Sequence, residues 1–122
     1  MKVHRISPES AADGGTANFT GGPVQVQMIV SPEEGLDIII VRFSPGARTY
    51  LHAHHGPQVL HCMEGRGILA TEHERNEVRP GDVVYVPANE MHWHGAAPDS
   101  AFVHMSIRTT PETTWTQTDP LT

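Results

Sequence analysis

Glycine and proline punctuate this chain from end to end. Eleven glycines and ten prolines are spread through 122 residues, and the apolar residues fall in short runs between them. Many short strands joined by turns produce that spacing, and long helices do not. No run of about 12 residues carries an amphipathic helical period, and no internal repeat of roughly 20–50 residues is present. The chain is therefore predicted to be all-β, a sandwich or barrel, and its length sets one domain over residues 1–122. A domain of this size buries roughly two thirds of the surface its unfolded chain exposes, enough for a core without disulfides. Cys62 is the one cysteine, so no intramolecular disulfide can form.

The strand pattern can be followed along the chain. Lys2 to Ile6 predicts an edge strand, and Ser7 to Gly22, rich in Ser, Ala and Gly, an irregular arm. Val24, Val26, Met28 and Val30 enclose Gln25 and Gln27 in the period of a strand with one buried face. Leu36 to Phe43 is almost continuously apolar, which predicts cover on both faces. Ser44-Pro45-Gly46 and Arg79-Pro80-Gly81-Asp82 are turns. Tyr50 to His54 is extended. Gln58–Met63 and Gly67–Thr71 are expected to form a hairpin about Glu64-Gly65-Arg66. Val83 to Val86 ends at Pro87, and Met91–Ala96 and Ala101–Ile107 are two further strands. This divides the chain into an arm (1–22), a strand-bearing body (23–108) and a polar tail (109–122).

Charge narrows the function. Fourteen Asp and Glu against eight Lys and Arg leave a net charge of −6. That balance opposes a non-specific nucleic-acid binder, which needs a basic face, and a surface held on anionic lipid. No stretch approaches the ~18 apolar residues of a membrane span, and the first residues hold no apolar leader core. The expectation is a soluble cytoplasmic protein. Nine histidines outnumber the lysines and arginines together. Histidine is the commonest metal ligand and the usual acid–base group near neutral pH, so their spacing decides what they do.

Two blocks hold most of them. In the first, five residues separate Gly46 from His52, one separates His52 from His54, three separate His54 from Gln58, and six separate Gln58 from Gly65. Residues two apart on a strand share a face, so His52 and His54 can meet one ion together, and Gln58 can return to it after a short loop. In the second, five residues separate Gly81 from Pro87 and four separate Pro87 from His92, with His94 on the same face as His92. Taken alone, His52 and His54 read equally well as an outward polar pair on an edge strand.

The two blocks closely resemble the paired motifs of the cupin superfamily, G-x5-H-x-H-x(3,4)-E-x6-G and G-x5-P-x-G-x2-H-x3-N. Gly46, His52, His54 and Gly65 match the first, and Gly81, Pro87 and His92 match the second. Three positions depart: Gln58 for the glutamate, Asn89 for a glycine and Ala96 for the asparagine. Gln58 in that place resembles the variant site of the small bacterial cupin hydroxynitrile lyases and their uncharacterised relatives. The likeness extends through Ala17–Gly21, Phe43–Thr49, His92–Ala97, Ala101–Ile107 and Trp115. It implies a double-stranded β-helix, the jelly-roll barrel, with a metal inside.

The resemblance implies His52, His54, Gln58 and His92 as metal ligands. Neutral imidazole and amide donors suit manganese, iron, cobalt, nickel or zinc, and the resemblance points to manganese. Such a set leaves a divalent ion its full charge and hence more Lewis acidity, while weakening its binding. His94 and His104 are the acid–base candidates; His104 is placed inward because it matches an inward histidine of the relatives. The competing reading makes each a buried, hydrogen-bonded histidine without a chemical role. His61, His73, His4 and His55 are expected on the surface, Cys62 as a buried thiol, and Trp93 at an interface or in the core. The function implied is a metal-dependent lyase for a small hydroxy or carbonyl compound. The alternatives are a metal-dependent dioxygenase or isomerase, or a non-catalytic binding domain. A homodimer is expected, with Leu36–Phe43 and an exposed Trp93 at its interface, or a higher homo-oligomer assembled from it.

Overall fold

The computed structural model describes residues 1–122. Thirteen strands form: β1 Ala12–Asp13, β2 Phe19–Thr20, β3 Val24–Val30, β4 Asp37–Phe43, β5 Arg48–Thr49, β6 His52–His54, β7 Gln58–Gly65, β8 Gly67–Ala70, β9 Arg75–Val78, β10 Val83–Val86, β11 Trp93–Ala96, β12 Phe102–Arg108 and β13 Thr113–Trp115. The remaining regular structure is two single 3-10 turns, Pro8–Ser10 and Pro32–Glu34. A six-stranded sheet runs β1-β3-β4-β12-β7-β10, a five-stranded sheet runs β2-β5-β11-β8-β9, and β6 pairs with β13. All strand pairs are antiparallel. The sheets face one another as a jelly-roll barrel, the expected fold class.

Alternation along the strands fills the interior. β12 lies between β4 and β7, with Phe102, His104 and Ser106 buried in line. Phe43, Leu60, Cys62, Leu69, Val86 and Phe102 pack into one apolar cluster. This cluster is the floor on which the histidines stand. The Phe43 ring lies 5.9 Å from His94 and 5.5 Å from His104 between centroids.

The expected hairpin about Gly65 does not form. β7 belongs to the six-stranded sheet and β8 to the five-stranded one, so the chain crosses between sheets at Gly65-Arg66. Gly65 has φ 71°, and a Cβ there would lie 1.7 Å from the carbonyl oxygen of Ala101. The glycine is required by a crossing pressed against β12, not by a two-strand turn. Asn89, where the family motif has glycine, is the one non-glycine residue with positive φ, at 66°. Asparagine tolerates that left-handed conformation better than most side chains.

The ends also differ from expectation. Lys2–Ile6 forms no strand. Instead the Gln27 amide donates to Arg5 O at 2.9 Å and accepts from Ser7 N at 3.0 Å, a side chain taking the place of a ladder partner. The arm contributes β1 and β2, and the polar tail contributes β13. The tail is fastened further by Thr116 N to Leu51 O at 3.0 Å and by the Arg48–Asp119 ion pair at 2.6 Å.

Candidate metal centre

Backbone pairing sets the centre before any side chain does. His52 and His92 exchange both backbone hydrogen bonds, 3.0 Å and 2.9 Å, as an isolated antiparallel bridge. The two motif blocks, far apart in sequence, are thereby locked residue to residue. His54 follows on the same strand, and its carbonyl accepts the Asn89 N–H at 2.7 Å. The rings of His52 and His92 stand 4.3 Å apart, and those of His52 and His54 4.9 Å apart. One ligand atom from each of the three can be chosen so that all lie within 4.8 Å of one another. Three buried histidines thus stand where they can hold one metal ion.

Hydrogen bonding decides which nitrogen each presents. His52 Nδ1 meets the Tyr50 carbonyl at 2.8 Å, and His92 Nδ1 meets the Glu90 carbonyl at 2.9 Å. A carbonyl only accepts, so both Nδ1 atoms carry the proton and both Nε2 atoms keep a lone pair. His54 Nδ1 meets Thr113 Oγ1 at 2.8 Å, and that hydroxyl spends its hydrogen on Pro111 O at 2.9 Å. His54 is therefore also Nδ1–H, and its Nε2 is buried with no partner. The Gln58 amide nitrogen donates to Ser106 Oγ at 2.8 Å, which turns Oε1 toward His92 Nε2 at 3.2 Å. In this amide orientation Gln58 Oε1 and the Nε2 atoms of His52, His54 and His92 are neutral lone-pair donors, a set that fits a divalent ion.

Burial keeps the rings in the ligating form. It lowers His92, and with neighbouring His92 it drives His52 well down and takes His54 to about 3. Trp115 of β13 stacks on His52 with centroids 4.3 Å apart.

Beside the three, His104 Nε2 and His94 Nδ1 share a hydrogen bond of 3.0 Å. Both rings are buried; His94 Nε2 and His104 Nδ1 have no other partner. Burial pulls His104 down to about 3, and burial together with His104 pulls His94 well below the ordinary range. A cavity of about 50 Å³ is lined by His52, His54, Gln58, His94 and His104. Five of the six candidate site residues line it, and the sixth, His92, packs ring to ring against His52.

The other histidines stay outside it: His4, His55, His61 and His73 are exposed. Cys62 is buried, its thiol raised to about 11 by burial and by Asp82. Trp93 is not exposed. It is buried with Ile68 and Ala70, under Leu51 and the Arg75 guanidinium. Strand parity gave the face it points to, but not that the fold covers it. Thr113, Ser106 and Arg108 were missed as supporting residues. Arg108 continues the inward series of Phe102, His104 and Ser106, a signal present in the sequence; Thr113 lies in a polar tail with none.

Two facing antiparallel sheets closed around inward imidazoles define a class of protein, the jelly-roll barrel with a histidine metal site. Residues 39–107 match the Cupin domain family, and the chain belongs to it. It is similar to the (R)-mandelonitrile lyase of Granulicella tundricola, 36% identical over 110 residues that cover 88% of this chain and 84% of that protein. A cupin-like protein of Thermotoga maritima superposes with a TM-score of 0.82 at 37% identity, over 88% of this chain and 86% of that one. The dimethylsulfoniopropionate lyase of Ruegeria pomeroyi is 28% identical over 79% of this chain and 66% of its own length. No helix is long and apolar enough to cross a membrane.

Proposed function

We propose that this cupin is a metal-dependent lyase acting on a small hydroxy or carbonyl compound. His52, His54, Gln58 and His92 hold the ion, manganese among the metals such donors suit. The observation that carries the reading is the set of inward lone pairs, His92 Nε2 and Gln58 Oε1 above all, beside a buried histidine pair. When bound, an ion without an anionic protein ligand supplies Lewis acidity toward a substrate oxygen.

The chain's own residues handle the proton. His94 Nε2, a nitrogen of the pair without a partner, accepts it from the substrate hydroxyl, while the hydrogen bond from His94 Nδ1–H to His104 Nε2 holds the ring in place. The reverse transfer returns a proton to the leaving group once the carbon–carbon bond has broken. Phe43 and Phe102 beneath the pair keep water from that side. We further propose that the chain works in the cytoplasm as a homodimer. The outer face of the six-stranded sheet supports a dimer: Val59, Met63, Met105 and Ile107 are half-buried, and Val83 and Tyr85 are exposed.

Manganese-loaded protein is expected to cleave mandelonitrile, to lose the activity to a chelator and to regain it with manganese. Light scattering on the same sample is expected to give twice the chain mass. Turnover indifferent to chelation removes the metal from the reaction, and no turnover removes this lyase reading. Thr113→Val takes away the acceptor that fixes the His54 tautomer. Titration is expected to show divalent-ion affinity about 10–100-fold weaker, the range for losing a partner of a metal-binding histidine.

A further inference from the structure

We propose that Arg108 makes this cavity a receptor for a small carboxylate, so that the natural substrate is a hydroxy- or oxo-carboxylate and not a neutral compound. The proposal rests on the metal-dependent reading above and names its substrate class. β12 carries Arg108 on the inward face after His104 and Ser106, and its side chain lines the same cavity as His52 and His54. Its guanidinium is only partly used. Nη2 donates to Asp37, which stands directly opposite in register on β4, and Nη1 reaches Thr113 Oγ1 at 3.5 Å. Nε is sealed from solvent with no acceptor, and the second oxygen of Asp37, Oδ1, is likewise buried with no donor. A guanidinium offers five donors in a planar fork that matches a carboxylate, and a buried donor left unpaired is costly until something accepts from it.

Charge leads to the same class. The histidines and Gln58 around the cavity are neutral donors, and Asp37 balances Arg108. A divalent ion held there has no anion among its neighbours, and uncompensated charge in a buried site is expensive. An anionic substrate supplies the missing charge. Thr113 Oγ1 lies 2.8 Å from His54 Nδ1 and 3.5 Å from Arg108 Nη1, so a single hydroxyl joins the guanidinium to a ring of the metal centre. A molecule with its carboxylate on the carbon next to a hydroxyl or carbonyl presents two oxygen sites to the one cavity that Arg108 and the histidines line.

Calorimetric binding of lactate and of its neutral counterpart lactamide tests this, with protein in the manganese-loaded and metal-free forms. Removing Arg108 alone strands Asp37 in the interior, so the variant is the double substitution Asp37→Asn with Arg108→Gln, which neutralises both partners. Wild type is expected to prefer lactate about tenfold or more, and the double variant, compared at equal manganese occupancy, to lose that preference. Equal affinities in wild type, or a preference retained in the variant, overturn the proposal, the latter because the ion alone then reads the carboxylate. Mandelonitrile turnover and manganese content report separately on the lyase reading, so its failure leaves the lactate-to-lactamide ratio readable.

Discussion

His92→Ala will leave a folded barrel that no longer retains manganese, and mandelonitrile cleavage will fall by at least about a thousandfold. The variant removes the ligand that joins the two motif blocks, since His92 is the residue bridged to His52 through both backbone bonds. Those bonds are made by the main chain and survive the substitution. The side chain is 2% exposed, and its loss leaves a small cavity. The same loss removes the contact at 3.2 Å between His92 Nε2 and the Gln58 amide, which the Ser106 hydroxyl still holds at its other end. The metal-free variant should therefore melt close to metal-free wild type. Manganese separates them: an ion that binds only the native state raises its stability by RT ln(1 + [L]/Kd). Added manganese is expected to raise the melting temperature of wild type and to leave that of His92→Ala where it was. Elemental analysis and thermal melts of the two proteins check both halves. A variant that keeps stoichiometric manganese removes His92 from the ligand set.

The face shared by His52 and His54 was legible because strands impose a period of two, whereas the meeting of His92 with them was implied by the resemblance of the Gly46, Gly65, Gly81 and Pro87 blocks to the cupin motifs. Other features are invisible to that period. A turn at Glu64-Gly65-Arg66 does not say which sheet the next strand joins, and here the chain leaves for the other sheet. Trp93 alternates correctly with His92 and His94, but the Leu51 and Arg75 side chains that cover it come from elsewhere. β13 pairs with β6 mainly through backbone groups, so polar Thr113 and Thr114 carry no apolar signature although Thr113 fixes His54. Asp37 sits at the head of an apolar strand and is 1% exposed, a burial explained only when the register sets Arg108 opposite it.

The concentration of buried imidazole has a second consequence, in acid. In the unfolded chain each histidine titrates near 6.5. In the native protein burial holds His54 and His104 near 3, and displaces His52, His92 and His94 in the same direction. Between those limits the unfolded state binds protons that the native state refuses, so stability falls as pH falls; above about pH 7 the two states bind equally and the slope vanishes. A histidine held fully neutral contributes at most about 1.4 kcal/mol per pH unit, so His54 and His104 together approach about 3 kcal/mol per unit, and His52, His92 and His94 add to this in the same direction. A domain holds only about 5–15 kcal/mol in all. Urea unfolding of the metal-free protein in half-unit pH steps is therefore expected to show stability steady from pH 8 to 7, collapsing between about pH 6 and 5. Replacing the hydrogen-bonded pair, His94→Leu with His104→Leu, removes two of these rings and should make the fall of stability with pH shallower. Manganese should shift the collapse to lower pH, because it binds the neutral rings and competes with the proton for His52, His54 and His92. Stability that stays flat from pH 7 to 5 in the metal-free protein would mean that these rings already carry their protons in the native state, a form that cannot coordinate an ion through the protonated nitrogens.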